Sequence, residues 1–390
     1  MRSTIIATVL IALVAAAPRP QSIDLNTIDA LPDAAVVKPP VAVESDTPSI
    51  QPSAAATSIA AAVVTSTAQR RNFLDVIGAK QKRDACAVQP DGYGPVSSPD
   101  TADGFLNDQT YSSVANAASV PPGYSVAFSN LQGSSQTVSY LGLKTLQSYD
   151  TIGCAQYCDE LAGCVAFNIY FERDPSVDPG TNCTNPSSIT NYKCVRWGVK
   201  IGAETATNNG QWREQFQVVI SGSNGYNKDA PPCTVSGFQG PTQLPGAINA
   251  PLDPITKTDT YMGYKFFSFD VAQTYQQGVL SCTAACTAQT KYNADHPPAT
   301  GNPAVCNQVV VYVLSDNAHP QGIYCSMYTE SWAANYATNI GQYRGSDYWS
   351  VSQAYSYIVD EYAAKYPPIC DIGGCPGGSY AGGNNGGYGA

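Results

Sequence analysis

Histidine and charged residues are scarce in this chain, and their scarcity argues against several kinds of active site. The 390 residues include only two histidines, His296 and His319, and charged residues make up 13%. A zinc site needs three or four ligands, usually cysteine and histidine, and no Cys-x2-Cys spacing occurs. A Ser-His-Asp hydrolase would have to use the same two histidines, and the Gly-x-Ser-x-Gly motif is absent. We therefore expect no metal site and no catalytic residues.

Phosphate-binding loops and long apolar runs are missing too. No glycine-rich loop of the Walker or Rossmann type is present, so we expect no nucleotide cofactor. The apolar run Ile5 to Val14 is too short to cross a bilayer, and no later run is long enough. The net charge of −10 argues against nucleic acid and anionic membrane as partners.

The first 83 residues have the composition of segments removed during secretion. Residues 1–17 carry Arg2, the apolar run and three alanines, which predicts a signal peptide cut after Ala17. Residues 18–83 are rich in Pro, Ala, Ser, Thr and Val, and we expect a disordered pro-segment. The segment ends in Lys82-Arg83, a dibasic site for a secretory endoprotease. A second dibasic pair, Arg70-Arg71, leaves open whether the stretch between the two is a released peptide or a spacer.

Thirteen cysteines behind a signal peptide indicate a disulfide framework, and the odd number leaves at least one thiol unpaired within a monomer. Cys154, Tyr157, Cys158 and Leu161 have the spacing of one helix face. The β-branched and aromatic run Val165 to Phe171 predicts a strand after that helix. The stretch is therefore a helix stapled to a sheet.

The same stretch occurs twice. Cys194 and Cys325 lie 131 residues apart, and Arg213 and Arg344 are separated by the same distance. A constant offset over this range makes chance similarity improbable, so we predict two copies of one module. Their expected bounds are residues 84–232 and 233–369, followed by a flexible Gly/Asn/Tyr-rich tail at 370–390.

The pattern Cys-x3-Cys-x5-Cys of the first copy, followed by a strand and another cysteine, resembles the PAN/apple superfamily, and most closely the tandem apple-like proteins that filamentous fungi secrete. The second copy departs from this pattern, with nineteen residues between Cys286 and Cys306. The phrases that carry the resemblance are Cys164-Val-Ala-Phe-Asn-Ile-Tyr-Phe-Glu-Arg-Asp-Pro175, Lys193-Cys194-Val-Arg-Trp-Gly198 and Gly222-Ser-Asn-Gly-Tyr226. The resemblance implies an α+β fold in which each module packs one main helix on a curved antiparallel sheet. It also implies four disulfides: Cys154–Cys194, Cys158–Cys164, Cys282–Cys325 and Cys286–Cys306.

Five cysteines remain after these pairs. We predict that Cys86 bonds Cys183, which would tie the opening of module 1 to its central loop. A Cys86–Cys233 bond is the alternative, and it would close module 1 end to end. Asn182, beside Cys183, begins the only Asn-x-Ser/Thr sequon with a permitted middle residue, so we expect a glycan there and a surface loop.

Few side chains stand out as ligand-binding candidates. Arg213 and Arg344 occupy equivalent positions in the two copies, and each could bind a ligand or pair with a carboxylate inside its module. Trp197 is a further ligand-binding candidate. Trp212 and its counterpart Tyr343 are expected to pack in the core, because Trp212 would share a strand face with Phe216. The acidic group after the first strand, Glu172, Asp174 and Asp178, is expected to be a solvated loop rather than a pair of glycosidase carboxylates.

These patterns favour a secreted, non-catalytic binding protein, outside the cell or at the cell wall, whose ligand is a carbohydrate or an extracellular protein. A structural or cross-linked wall protein is the alternative, because tyrosine and thiol groups can both cross-link. An extracellular glycan-active enzyme is the least favoured hypothesis.

Overall fold

The computed structural model describes residues 22–26, 28–41, 85–90, 92–269 and 274–366. The predicted signal peptide, the Lys82-Arg83 site and the Gly/Asn/Tyr-rich tail lie outside these residues, and those predictions stay untested.

Module 1 is a six-stranded antiparallel sheet with three short helices. The strands run in the order β1-β6-β3-β4-β2, and β5 pairs with the free end of β6. The elements are α1 (Ala102–Asn107), α2 (Gln109–Ala117), β1 (Tyr124–Leu131), β2 (Tyr140–Leu146), α3 (Thr151–Asp159), β3 (Ala166–Pro175), β4 (Ser188–Trp197), β5 (Gln211–Arg213) and β6 (Phe216–Lys228).

Module 2 repeats this topology. Its strands run β7-β12-β9-β10-β8, with β11 paired to β12. The elements are β7 (Phe238–Leu244), β8 (Tyr261–Ser268), α4 (Tyr275–Asp295), β9 (Gln308–Asp316), β10 (His319–Tyr328), β11 (Gly341–Arg344), β12 (Asp347–Val359) and α5 (Asp360–Ala363). Each strand takes the place of its counterpart in module 1, so the duplication seen in the sequence extends to strand order and pairing.

In both modules a helix with two cysteines lies on one side of the sheet. The side chain of Asp150 caps α3 by accepting from Gly153 N, and Thr274 and Gln277 form a capping box at the start of α4. The helix cysteines are buried and bonded to the strands or to the residues just before them. The pairs are Cys154–Cys194, Cys158–Cys164, Cys282–Cys325 and Cys286–Cys306, as the resemblance implied.

A fifth disulfide joins Cys86 to Cys183, the pairing we predicted, with 5.8 Å between the Cα atoms. It fastens the opening of module 1 to the connection between β3 and β4. Cys233, the other candidate partner, is exposed and forms no disulfide with another described residue.

Each sheet has an apolar layer on both faces. In module 2 the helix side contains Val309, Val311 and Val313 of β9, whereas Val310, Tyr312 and Leu314 belong to the opposite layer. The alternation follows from the two-residue period of a strand. We call the side away from the helix the outer face.

The two modules pack directly against each other. Tyr275 N at the start of α4 donates to Gly198 O of module 1 at 3.0 Å. A Cβ atom at Gly198 or Gly163 would lie less than 3.0 Å from the Thr274 side chain, so both positions require glycine. Val138 and Val199 of module 1 complete the helix-side core of module 2.

The structure corrects two local predictions. The run Tyr124 to Tyr140, centred on Gln132-Gly-Ser, predicts a hairpin, but β1 and β2 lie at opposite edges of the sheet, paired with β6 and β4. The run Gln211 to Ile220 predicts one continuous strand. It is a hairpin that reverses at Glu214 and Gln215, and Glu214 adopts a positive φ of 52°. No glycine or Asn-Gly pair marks this turn.

Residues 22–26 and 28–41 also differ from prediction. We expected disorder throughout 18–83, yet this N-terminal segment packs against both modules. Val37 bridges to Thr137 of module 1, and Ala34 N donates to the Gln321 side chain of module 2 at 2.9 Å. Its aliphatic side chains pack on an apolar surface of module 2, which the composition of the segment does not predict. Among the described residues, no helix is long and apolar enough to cross a membrane.

Candidate functional site

The outer face of module 2 is lined with aromatic rings. Tyr312 and Tyr324 are opposite each other on β9 and β10, and their rings stack with centroids 5.1 Å apart. Tyr264 on the edge strand β8 stacks on the other side of Tyr324 at 4.6 Å. Cross-strand aromatic pairs of this kind stabilise a sheet and present flat apolar surfaces. We call this set the aromatic face: Tyr261, Tyr264, Phe266, Tyr312, Tyr324 and Tyr328.

The N-terminal segment covers this face. Ile23, Leu25 and Ile28 are 5%, 2% and 4% exposed and belong to the same buried cluster as the rings and Trp349. Burying three aliphatic side chains of this size contributes about 1.5–3 kcal/mol each, before the cost of ordering the segment.

Polar contacts fix the position of the segment on the face. Gln342 on β11 binds both main-chain groups of Ile23: Ile23 N donates to its Oε1, and its Nε2 donates to Ile23 O, each at 2.8 Å. Asp24 N donates more weakly to the Tyr324 hydroxyl, at 3.4 Å. A side-chain amide that satisfies both main-chain groups of one residue recognises an extended chain whatever its side chain.

Arg344, two residues beyond Gln342, binds one acidic and one amide side chain of the segment. Its Nε lies 2.8 Å from Asp29 Oδ2, and one terminal nitrogen donates to Asn26 Oδ1 at 3.3 Å. The pair is about 40% exposed, so we expect it to contribute at most about 1 kcal/mol. Residues i and i+2 of a strand share a face, which places Gln342 and Arg344 side by side.

A carboxylate of module 2 faces the acidic end of the segment. Burial, together with the negative charges of Asp347, Asp33 and Asp29, raises the pKa of the Asp316 carboxyl group above its ordinary value. A cavity of about 50 Å³ lies here, between Ile28 and Asp33 of the segment and Asp316 of β9. Acidic residues of the segment and of module 2 thus meet at this end of the interface, where Arg344 also binds Asp29.

Arg213 and Arg344, at equivalent positions of the two copies, both bind carboxylates, but these carboxylates lie in different parts of the chain. Arg213 pairs with Asp178 in the connection after β3 of its own module. Arg344 pairs with Asp29, which lies outside module 2. The sequence allows each arginine either a carboxylate partner in its own module or a ligand. Arg213 has a partner in its own module, and Arg344 binds the N-terminal segment.

Trp197 does not contact any surface available to a ligand. It is fully buried in module 1, and its ring packs edge-on against Tyr140 with centroids 5.7 Å apart. Its proposal as a ligand-binding residue is therefore wrong for this structure. The tryptophan belongs to the outer-face core of module 1.

The prediction that Trp212 and Tyr343 pack in the core is also wrong, since they are 66% and 75% exposed. The reason is the hairpin turn after Arg213. Trp212 pairs with Gln217 across the hairpin and therefore shares its face, whereas Arg213 pairs with Phe216. A turn within a strand reverses which side chains point inward.

Glu172 and Asp174 are not in a solvated loop. Both lie on β3 with side chains 2% exposed, beside the fully buried Lys193, whose Nζ is 3.5 and 3.7 Å from their carboxylate oxygens. Burial and the charge of Asp174 raise the pKa of Glu172 well above its ordinary value. The group has carboxylates of the kind a glycosidase uses, but a glycan cannot reach them through this packing.

Asn182 is exposed in the connection between β3 and β4, where a glycan could be attached. Within the described part of the chain, no three His, Cys, Asp or Glu side chains are grouped to hold a metal ion.

Comparisons with protein-family models, curated proteins and solved structures find no match to this chain. The PAN/apple resemblance therefore stays a prediction, and the site has to be judged on its geometry.

Sequence reasoning missed the N-terminal segment as part of the site. A signal was present in Ile23-Asp24-Leu25, where apolar and acidic residues alternate as in a strand with one buried face. The Pro- and Ala-rich composition of the longer stretch hid it. Gln342 could not have been found, because an isolated glutamine has no distinctive pattern.

Proposed function

We propose that this chain is a secreted, non-catalytic binding protein built of two PAN/apple-like modules, and that the aromatic face of module 2 binds its ligand outside the cell or at the cell wall. The ligand is a carbohydrate or an extracellular protein. Aromatic rings stack on sugar faces and also accept aliphatic side chains, so the face suits either class.

One observation carries this proposal: the aromatic face already holds a separate piece of chain. The N-terminal segment contains no cysteine, so no disulfide joins it to the modules; apart from the chain itself, only non-covalent contacts hold it in place. If the endoprotease cuts after Arg83, no covalent bond retains the segment. A surface with stacked rings, an amide and a cation is then available.

The test uses the folded chain after cleavage at Lys82-Arg83 and extensive dialysis to remove the released segment. This protein is applied to a glycan array, to wall polysaccharides and to immobilised extracellular proteins. Tyr264→Ser removes a half-buried ring from the edge of the aromatic face, and we expect it to weaken capture. Trp212→Ser removes an exposed ring from module 1 and serves as the matched control. Absence of capture in all three formats, or equal loss with both variants, would refute the proposal.

Cys233 favours a second candidate, a structural protein cross-linked into the wall. It is exposed and outside every described disulfide, so it can bond another chain. Partial desolvation of its sulfur atom raises the pKa of the Cys233 thiol, which slows its reaction but does not prevent it. Extraction of the wall with and without reductant tests this candidate: complete release in plain buffer contradicts it.

A further inference from the structure

The contacts of the N-terminal segment are those of a bound peptide. Ile23 and Leu25 place aliphatic side chains on the aromatic face, Gln342 binds the main chain of Ile23, and Arg344 binds the carboxylate of Asp29. Apolar side chains, main chain and charge are each recognised by a different part of module 2. Peptide-binding modules combine these same elements.

Comparison of the modules shows why this position is open in module 2. The connection between β3 and β4 of module 1 spans residues 176–187, is fastened by the Cys86–Cys183 disulfide, and supplies Asp178 to Arg213. The connection between β9 and β10 of module 2 is only Asn317 and Ala318. It supplies no carboxylate, and the N-terminal segment provides Asp29 to the equivalent arginine.

Because the segment is held by non-covalent contacts and by the chain alone, another peptide can replace it once the chain is cut. Attachment through the same chain keeps a bound segment near its site, at an effective concentration that can reach the order of 1 mM. The sequence between the segment and module 1 contains the pairs Arg70-Arg71 and Lys82-Arg83. Cleavage there turns an intramolecular contact into one between two molecules, and the segment must then compete at its free concentration.

We propose that the aromatic face, Gln342 and Arg344 form a peptide-binding site. The N-terminal segment fills it before processing, and an extended peptide of a partner protein fills it afterwards. This inference deepens the function proposed above and rests on it for the existence of a partner. The partner peptide has the chemistry of the segment: two aliphatic residues separated by one residue, as in Ile23-Asp24-Leu25, and an Asp or Glu several residues later that pairs with Arg344.

The first experiment measures binding of a fluorescent synthetic peptide of residues 22–41 by anisotropy. The protein is the full chain, folded and then cut after Arg83 by a Lys-Arg endoprotease. We expect saturable binding to the cut chain, and at least about tenfold weaker binding to the uncut chain, because the tethered segment competes. No binding to the cut chain, or equal binding to both forms, overturns the inference.

The released segment can stay bound after cleavage, so exchange is measured as well. We expect excess labelled peptide to replace it. Failure to exchange over a day would show that the segment is a permanent part of the fold, and the inference would be wrong.

Variants identify the contact. Arg344→Met should weaken peptide binding roughly two- to fivefold, as expected for a half-exposed ion pair. A peptide with Asp29→Ala should show the same loss, and the two changes together should cost no more than either alone. Arg213→Met, the equivalent change in module 1, is the control and should leave binding unchanged. Equal loss with Arg213→Met would overturn the assignment.

The outcomes separate this inference from the proposed function. If the 22–41 peptide binds and no glycan or extracellular protein is captured, the site exists and the proposed function fails. If a glycan or protein is captured and excess 22–41 peptide does not displace it, the ligand binds elsewhere and the inference fails.

Discussion

The buried charge group of module 1 gives the sharpest stability prediction. Lys193 has no exposed side-chain surface, and its ammonium lies between Glu172 and Asp174, at 3.5 and 3.7 Å. Asn191 also donates to Asp174, at 2.7 Å. Since the pKa of Glu172 is raised well above its ordinary value by burial and by Asp174, we expect Glu172 to stay protonated, so that one cation balances one anion.

Lys193→Met removes the cation and leaves a buried carboxylate without compensation. Breaking such a pair from one side costs about 3–5 kcal/mol. With an m-value of about 3 kcal/mol/M, the urea midpoint should fall by about 1–1.7 M. Glu172→Gln is the matched control: it replaces a protonated acid by a neutral group of similar shape, and we expect a change below about 1 kcal/mol.

Urea unfolding followed by tryptophan fluorescence, with the disulfides intact, measures both variants. The pH dependence gives an independent check. A raised folded-state pKa means that the native chain holds a proton which the unfolded chain releases, so the contribution of Glu172 to stability is fully present below the ordinary Glu pKa. It declines as the pH rises from there through the folded-state pKa. Glu172→Gln should remove this decline. Equal destabilisation by the two variants would refute the charge assignment.

Three further predictions concern other parts of the chain. Cys154→Ala should destabilise the protein by about 1.7 kcal/mol more than Cys158→Ala in thermal unfolding, because their disulfides close loops of 40 and 6 residues; the reverse order would contradict the loop-entropy argument. N-terminal sequencing of the secreted module chain should begin at Asp84; a start at Pro18 would contradict processing at the dibasic site. Trp212→Ser should change the unfolding free energy by less than about 0.5 kcal/mol, because the ring is exposed; a loss of several kcal/mol would show that it packs.

The stapled helix-and-sheet units were predictable because covalent and periodic constraints determine them locally. Two cysteines one helical turn apart must face the same side, and a repeat offset of 131 residues forces both copies into one topology. The five disulfides of the structure match the predicted pairs. The link from these units to the PAN/apple family is still untested.

The wrong predictions for Trp212, Glu172 and Asp174 have physical causes that the local sequence does not show. The turn at Glu214 places the Trp212 side chain on the opposite face from the one predicted. The residues around Glu214 include no residue type that favours a turn. Glu172 and Asp174 can lie in the core because the ammonium of Lys193, on the neighbouring strand, is close to both carboxyl groups. Such pairing depends on strand register, which a single sequence does not reveal.

The two modules differ in the side chains that cover the same region of the outer face. On the outer face, Tyr324 of β10 occupies the place of Lys193 on β4, and Leu314 of β9 that of Glu172 on β3. Module 1 therefore closes this region with a neutralised charge group inside its own fold. Module 2 carries apolar and aromatic groups at the same positions and needs an external chain to cover them.

The acidic residues at the end of the site predict that binding of the segment depends on pH. Asp316 faces Asp29 and Asp33 of the segment and Asp347 of its own module, while His319 and Arg344 supply nearby positive groups. Burial and the three carboxylates raise the pKa of Asp316 above its ordinary value of 3.8.

Two of those carboxylates arrive with the segment, so the bound form holds the Asp316 proton more tightly than the free form. The extra affinity is fully present below the free-state pKa and is lost as the pH rises through the bound-state pKa. The 22–41 peptide should therefore bind the cut chain more tightly near the ordinary Asp pKa, at about pH 4, than at about pH 7. Asp316→Asn carries no charge at either pH and should bind with a weaker pH dependence. An unchanged dependence in Asp316→Asn would assign the effect to another group, because no proton could then be exchanged at position 316.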